Sequence, residues 1–160
     1  MQYIKNKLSL DGVFFNDIYL KHSTPVYIYS QKAIHRNLES YMEKIDDGDL
    51  ICFSVKSSNN LEILKSINSK GAGFDVVSSG ELRKVLHIGA DVNKIVYSGV
   101  GKTKEDLIYA VKSRIKSINI ESLSELKALV KIVKEIDIDA NIALRFNPET
   151  SSETHPYLDT

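Results

Sequence analysis

Four polar positions stand at or near the ends of short apolar runs: Lys56, Asp75, the Ser98-Gly99-Val100-Gly101 stretch and Arg145. Lys56 directly follows Ile51-Cys52-Phe53-Ser54-Val55. A lysine at the mouth of an apolar sheet loses hydration, which favours its neutral amine. A neutral amine can form a Schiff base with an aldehyde. The plain alternative is a solvated lysine at a strand end. Asp75 sits inside Gly73-Phe74-Asp75-Val76-Val77, and a carboxylate in a buried strand needs a partner. That partner could serve chemistry or be an ordinary structural hydrogen bond or salt bridge. Arg145 is a natural partner for an anion or carboxylate, or one half of a buried ion pair. Glu81 stands three residues after Ser78, where a capping box would place it.

Gly99-Val100-Gly101-Lys102-Thr103 invites another reading, because it follows a strand, opens a helix and ends in Gly-Lys-Thr. A phosphate-cradling P-loop needs a further glycine five residues before Gly101, and Val96 stands there. Nucleotide hydrolysis therefore remains a minor alternative that would depend on Lys102. The histidines His22, His35, His87 and His155 lack metal-ligand spacing. His35 and His87 fall on expected helices and read as surface or satisfied structural residues.

The elements that must position these groups alternate in type. Apolar strand runs are expected at 51–55, 73–77, 94–97, 117–120 and 141–146. The helices between them carry Leu61, Leu64 and Ile67, then Leu82, Val85 and Leu86, then Leu107, Ile108 and Val111. The last carries Leu126, Leu129, Val130 and Val133. Alternation of this kind implies βαβ units and a parallel sheet, with strands expected to be buried on both faces. Asn59, Ser78 and Ser122 are expected N-caps, each with Glu three residues on, and Gly71 and Gly89 mark helix ends. In parallel α/β folds the C-terminal edge of the strands carries the active site, and the four polar positions share that edge. An open doubly wound sheet and an eight-unit barrel both accommodate the pattern, and five units are present. Residues 1–25 do not fit the rhythm and are expected to form a separate piece. Thr24-Pro25-Val26-Tyr27-Ile28-Tyr29 leads from it into a first helix near Ala33–Ile45.

Composition narrows the class. The 160 residues are 42% hydrophobic and 26% charged, as in globular proteins. Lys plus Arg and Asp plus Glu number 21 each, so no basic excess points to nucleic acid or a membrane surface. The single cysteine, Cys52, is expected to be a small buried hydrophobe in a reducing, cytoplasmic setting. The first residues lack the apolar stretch of a signal peptide, and no apolar run is long enough to span a bilayer.

Several segments taken together resemble one family. Phe53-Ser54-Val55-Lys56-Ser57-Ser58-Asn59-Asn60-Leu61 resembles the segment that carries the cofactor lysine of fold-type III pyridoxal-phosphate decarboxylases. Gly71-Ala72-Gly73-Phe74-Asp75-Val76-Val77-Ser78-Ser79-Gly80-Glu81-Leu82 is similar to that family's second strand and helix start. Ile95 to Thr103, Asn119 to Ser122, Leu144 to Pro148 and Thr154 to Thr160 resemble its diaminopimelate decarboxylase branch. Ser54, Ser57 and Ser58 depart from the alanine and asparagine usual around the lysine. The resemblance implies a (β/α)8 barrel of which residues 26–160 hold about five units. It implies that residues 1–25 pack with a second, β-rich domain that is not present.

The implied activity is the pyridoxal 5'-phosphate-dependent decarboxylation of meso-2,6-diaminopimelate to L-lysine, the last step of lysine biosynthesis. Decarboxylation of ornithine, arginine or carboxynorspermidine, or cofactor binding without turnover, are the alternatives. Lys56 would be the catalytic, cofactor-holding lysine. Asp75 and Arg145 would belong to the polar network around the cofactor, with Glu81 near it and His155 at the rim. The full enzyme is expected to be a cytoplasmic homodimer acting on a small amino acid, and these 160 residues are expected to be a fragment inactive alone.

Overall fold

The computed structural model describes residues 1–146. Three short antiparallel strands open it: β1 (Gln2–Ile4), β2 (Lys7–Leu10) and β3 (Val13–Phe14), followed by α1 (Phe15–Lys21). Two-residue turns join the strands. Lys5 and Asn6 take φ of 48° and 60°, and Asp11 and Gly12 take 52° and 84°. Positive φ at both turn residues is the type I′ signature, whose twist matches that of a hairpin. Asp11-Gly12 is a strong local signal for such a turn, and it accounts for residues 1–25 standing outside the βα rhythm. An extended segment then leads to α2 (Gln31–Met42), a few residues earlier than the sequence suggests. Its N-cap Ser30 accepts from the Ala33 amide and donates to Asp11, tying the hairpin unit to the start of α2.

The main body is a five-stranded parallel sheet: β4 (Cys52–Ser54), β5 (Gly73–Val76), β6 (Ile95–Tyr97), β7 (Ser117–Ile120) and β8 (Ile142–Leu144). Spatial order equals chain order, β4-β5-β6-β7-β8, with every neighbouring pair parallel. A doubly wound sheet reverses its order at a switch point, whereas a barrel adds each strand on the same side. The observed order is therefore that of a partial barrel wall. Helices α3 (Leu61–Asn68), α4 (Ser79–His87), α5 (Lys104–Lys112) and α6 (Leu123–Ile136) connect successive strands.

The strands are not buried on both faces, contrary to the expectation from their apolar look. Phe74, Val76, Ile95, Tyr97, Ile118 and Ile120 are buried against Leu64, Ile67, Leu82, Val85, Leu107, Val111, Leu129 and Ile132 of the helices. Each such side chain contributes roughly 1.5–3 kcal/mol of apolar transfer. The alternate positions Cys52, Ser54, Asp75, Val96, Ser98, Ser117 and Asn119 are only half-buried. A closed barrel would turn that face inward. The alternation is written in Gly73-Phe74-Asp75-Val76 and Ser117-Ile118-Asn119-Ile120, but with only two polar or small positions in each run the signal is short.

The helix ends follow local chemistry, with corrections. Asn60, not Asn59, caps α3, its side chain accepting from the Glu62 and Ile63 amides. Asn59 instead accepts from Lys84. Ser78 and Ser122 cap α4 and α6 as expected. Glu81 and Glu125 reach back one residue further than a capping box requires, to the amides of Val77 and Glu121. The reciprocal box is Thr103 with Asp106 on α5. Gly71 and Gly89 follow α3 and α4 at φ of 82° and 77°. On α6 the buried stripe is Leu129 and Ile132, and Val130 is exposed.

Candidate active site

Because the five strands are parallel, their C-terminal ends share one edge. Lys56 lies there in a 3-10 turn, Val55–Ser57, immediately after β4. Asp75 lies within β5, Ser98 directly follows β6, Asn119 lies in β7, and Glu121 directly follows it. Arg145 comes directly after β8 rather than within it, its amide donating to the Ile120 carbonyl. The register Ser54↔Asp75↔Val96↔Ser117 aligns these strands row by row.

One hydrogen-bonded chain crosses three strands. The Ser117 hydroxyl donates to Asn119 Oδ1 at 3.1 Å, Asn119 Nδ2 donates to Ser98 Oγ at 2.9 Å, and Ser98 Oγ donates to Asp75 Oδ1. Asn119 uses the serine oxygen as acceptor, which leaves the Ser98 proton for Asp75. The carboxylate that needed a partner thus finds a hydroxyl rather than a cation. Beside it, Ser54 Oγ is buried with no hydrogen-bond partner among the described residues.

A second network braces the rim. Glu121, whose side chain is 6% exposed, accepts from the Gly99 amide at 2.9 Å through Oε1 and from Arg145 Nη1 at 3.0 Å through Oε2. Lys102 has a wholly buried side chain and donates to Gly99 O, Asn119 O and Glu125 Oε1, each at 2.7 Å. An ammonium carries three protons, so this lysine is fully occupied. The nucleotide-hydrolysing reading of Gly99-Val100-Gly101-Lys102-Thr103 is thereby overturned: its lysine points into the fold and anchors the β6–α5 loop. Ser98, Asn119, Glu121, Ala143, Leu144 and Arg145 line a cleft of about 330 Å³ at this edge. A larger hollow of about 400 Å³ lies around Arg114, Ile118 and Asp137–Asn141, at the opposite ends of the strands.

The structure brings Asp75 together with Ser98, and Arg145 together with Glu121. Lys56 stands on the same edge but is exposed, so the desolvation expected from its apolar run is not present; the 3-10 turn lifts it clear of the sheet. Glu81 is engaged by the Val77 amide at 2.9 Å, which ties the end of β5 to the start of α4. His155 lies outside the described residues. Cys52 is half-buried rather than buried, and burial together with the nearby Asp75 pushes its thiol pKa up. His35 is a satisfied structural residue, its Nε2 within 2.8 Å of Ser66 Oγ. No cluster of three metal-ligating side chains occurs among the described residues. The residues alone give Asn119 and Glu121 no role, and Glu125 only that of a capping partner to Ser122. The alternation in Ser117-Ile118-Asn119-Ile120-Glu121 is the signal that places Asn119 and Glu121 on the polar face.

Comparison with known proteins gives this edge a context. Residues 31–160 match the family model described as "Pyridoxal-dependent decarboxylase, pyridoxal binding domain". A diaminopimelate decarboxylase of Vibrio cholerae is 41% identical over 145 residues, which is 90% of this chain and 35% of that protein. One from Haemophilus influenzae is 39% identical over 160 residues, covering 99% of this chain and 39% of that protein. The crystal structure of the Helicobacter pylori diaminopimelate decarboxylase complexed with L-lysine superposes with a TM-score of 0.85 at 36% identity. The match covers 89% of this chain and 36% of that one. The chain thus spans between about a third and two fifths of the length of these relatives.

Proposed function

Because this chain belongs to the pyridoxal-dependent decarboxylases, through their pyridoxal-binding domain, we propose that it supplies the cofactor-holding wall of an enzyme that converts meso-2,6-diaminopimelate to L-lysine and carbon dioxide. The observation that carries the reading is the shared edge. Lys56 flanks it just after β4, Arg145 flanks it just after β8, and the Asp75–Ser98–Asn119 chain lies between them.

The residues present fit pyridoxal phosphate. Lys56 offers an exposed amine to its aldehyde. Ser54 Oγ, on the strand row that also bears Asp75, is buried and has no partner among the described residues, an unmet hydrogen bond at this face. Arg145 offers a guanidinium suited to an anionic group. When bound, the cofactor supplies an electron sink for the pair left behind as the α-carboxylate departs. Lys56 Nζ would hold the cofactor, yield it to the substrate amine and displace the product amine at the end. Asp75, oriented by Ser98, would present its carboxylate to the cofactor. Glu81 supports the end of β5 that bears Asp75. The full-length protein is proposed to work as a cytoplasmic homodimer on a small amino-acid substrate, with residues 1–25 packing on the β-rich domain. Among the described residues no helix is long and apolar enough to cross a membrane.

Borohydride trapping with pyridoxal phosphate, followed by intact mass and peptide mapping, tests the assignment. A single stable adduct on Lys56, lost in Lys56→Ala, is the expected result. Labelling spread over surface lysines, with Lys56 unmodified, would overturn it. Carbon dioxide release by the full-length protein from meso-diaminopimelate, set beside ornithine and arginine, tests the substrate.

A further inference from the structure

Glu121 belongs to none of the roles above, yet its carboxylate is the joint between two parts of the site. It is nearly buried, and its two oxygens are divided between a loop amide (Gly99) and a cation (Arg145). Its own amide is held by Glu125 Oε2 at 3.0 Å, and Glu125 in turn takes the buried Lys102. Backbone and side chain of Glu121 are therefore both pinned. Arg145 is the more exposed partner: it follows a strand whose residues are all exposed, and its side chain is 49% exposed. A long guanidinium side chain in that position loses considerable rotamer freedom when it is held. A carboxylate fixed from behind holds it without itself moving.

We infer that Glu121 is a positioning residue, which sets the guanidinium of Arg145 in the cleft so that it can receive an anionic group of the cofactor or the substrate. This rests on the pyridoxal-phosphate reading above. Its consequence has a sign that a plain charge effect does not share. Removing a negative charge next to Arg145 makes the cleft more positive, so simple electrostatics would tighten anion binding. Loss of orientation weakens it instead.

Glu121→Gln separates the two duties. The amide oxygen can still accept from Gly99 N, while its NH2 group faces a guanidinium that also only donates. The experiment uses the intact protein and reads dissociation constants for pyridoxal phosphate and for pyridoxal by absorbance and fluorescence, KM and kcat with meso-diaminopimelate, and the thermal midpoint. The expected result is anion affinity weakened roughly tenfold or more, the scale of one charge-assisted hydrogen bond, with a midpoint close to that of the unmodified chain. A loss seen with pyridoxal phosphate and not with pyridoxal assigns the anion to the cofactor phosphate. A rise in KM alone assigns it to the substrate carboxylate. In an Arg145→Gln background the substitution should add nothing further. Unchanged or tighter binding of both pyridoxal phosphate and substrate by Glu121→Gln overturns the inference while leaving the function standing. Glu121→Asp keeps the charge but is too short to span both partners, and serves if the glutamine variant fails to fold; weakened anion affinity is again expected, and affinity equal to the unmodified chain overturns the inference. If the unmodified protein takes no pyridoxal phosphate on Lys56, the function falls and the inference falls with it.

Discussion

Lys102 carries the same residue type as Lys56 and stands in the more suggestive motif, yet the two have opposite fates. Lys102 spends all three protons on Gly99 O, Asn119 O and Glu125, whereas Lys56 is exposed on its 3-10 turn. Removing one partner of a buried ion pair is far costlier than the pair is worth, because an uncompensated charge remains. Lys102→Met should therefore lose about 3–5 kcal/mol of stability, measured as a lower urea midpoint at unchanged slope. Lys56→Ala should leave that midpoint near its starting value. A Lys102→Met midpoint within error of the unmodified chain would show that Glu125 finds another partner. Residue types in Gly99–Thr103 were legible from the start; which way the lysine points was not.

At the scale of elements, local signals performed well where they act within a turn and poorly where they depend on what faces the element. Ser78 and Ser122 cap their helices, and Gly71 and Gly89 follow theirs, because each feature is decided within three or four residues. Asn59 and Asn60 are adjacent and equally suited to capping, so only the path of the chain after β4 chose Asn60. Gly73 shows the tertiary limit. Its φ lies outside the left-handed region, but a Cβ added there would meet the Lys94 carbonyl at 2.3 Å and Cys52 Sγ at 3.0 Å. The glycine is required by the close approach of β5 to the turn before β6. Gly73→Ala should cost about 1–3 kcal/mol by overpacking, seen in chemical denaturation. Gly80→Ala, in the first turn of α4 with no atom nearer than 3.8 Å, should be neutral or stabilising. Equal effects at the two sites would contradict this account.

Among the described residues, one face of the sheet is packed by helices and the other is half-exposed and polar, with β4 and β8 outermost in the strand order. The packed face also governs how stability depends on pH. Burial, then the carboxylates of Asp106, Glu81 and Glu125, push the Tyr97 phenol well above its ordinary 10.0. Its hydroxyl has no hydrogen-bond partner among the described residues. Below pH 10 the folded and unfolded chains both keep this proton. Above it the unfolded chain releases the proton and the folded chain does not, so stability falls as pH rises. Urea midpoints measured from pH 8 to 11 should decline above about 10. Tyr97→Phe should flatten that decline and match or exceed the unmodified chain at pH 8, since an unpartnered buried hydroxyl stabilises nothing. A steeper decline in Tyr97→Phe would count against this origin.

The amino-acid sequence by itself determined the alternation of strands and helices, the C-terminal edge as the place for chemistry, and Lys56, Asp75 and Arg145 as the groups to watch. These follow from periodicity and residue type, which act over a few residues. The tertiary structure alone decided that the strand order is sequential, that one sheet face is polar, that Lys102 is an anchor and that Glu121 joins Arg145 to the Gly99 loop. The physical reason is separation along the chain. Asp75–Ser98, Gly99–Glu121, Lys102–Glu125 and Glu121–Arg145 are 23, 22, 23 and 24 residues apart, about one strand–helix unit each. Partners at that distance are chosen by the register between neighbouring strands, which no local signal carries.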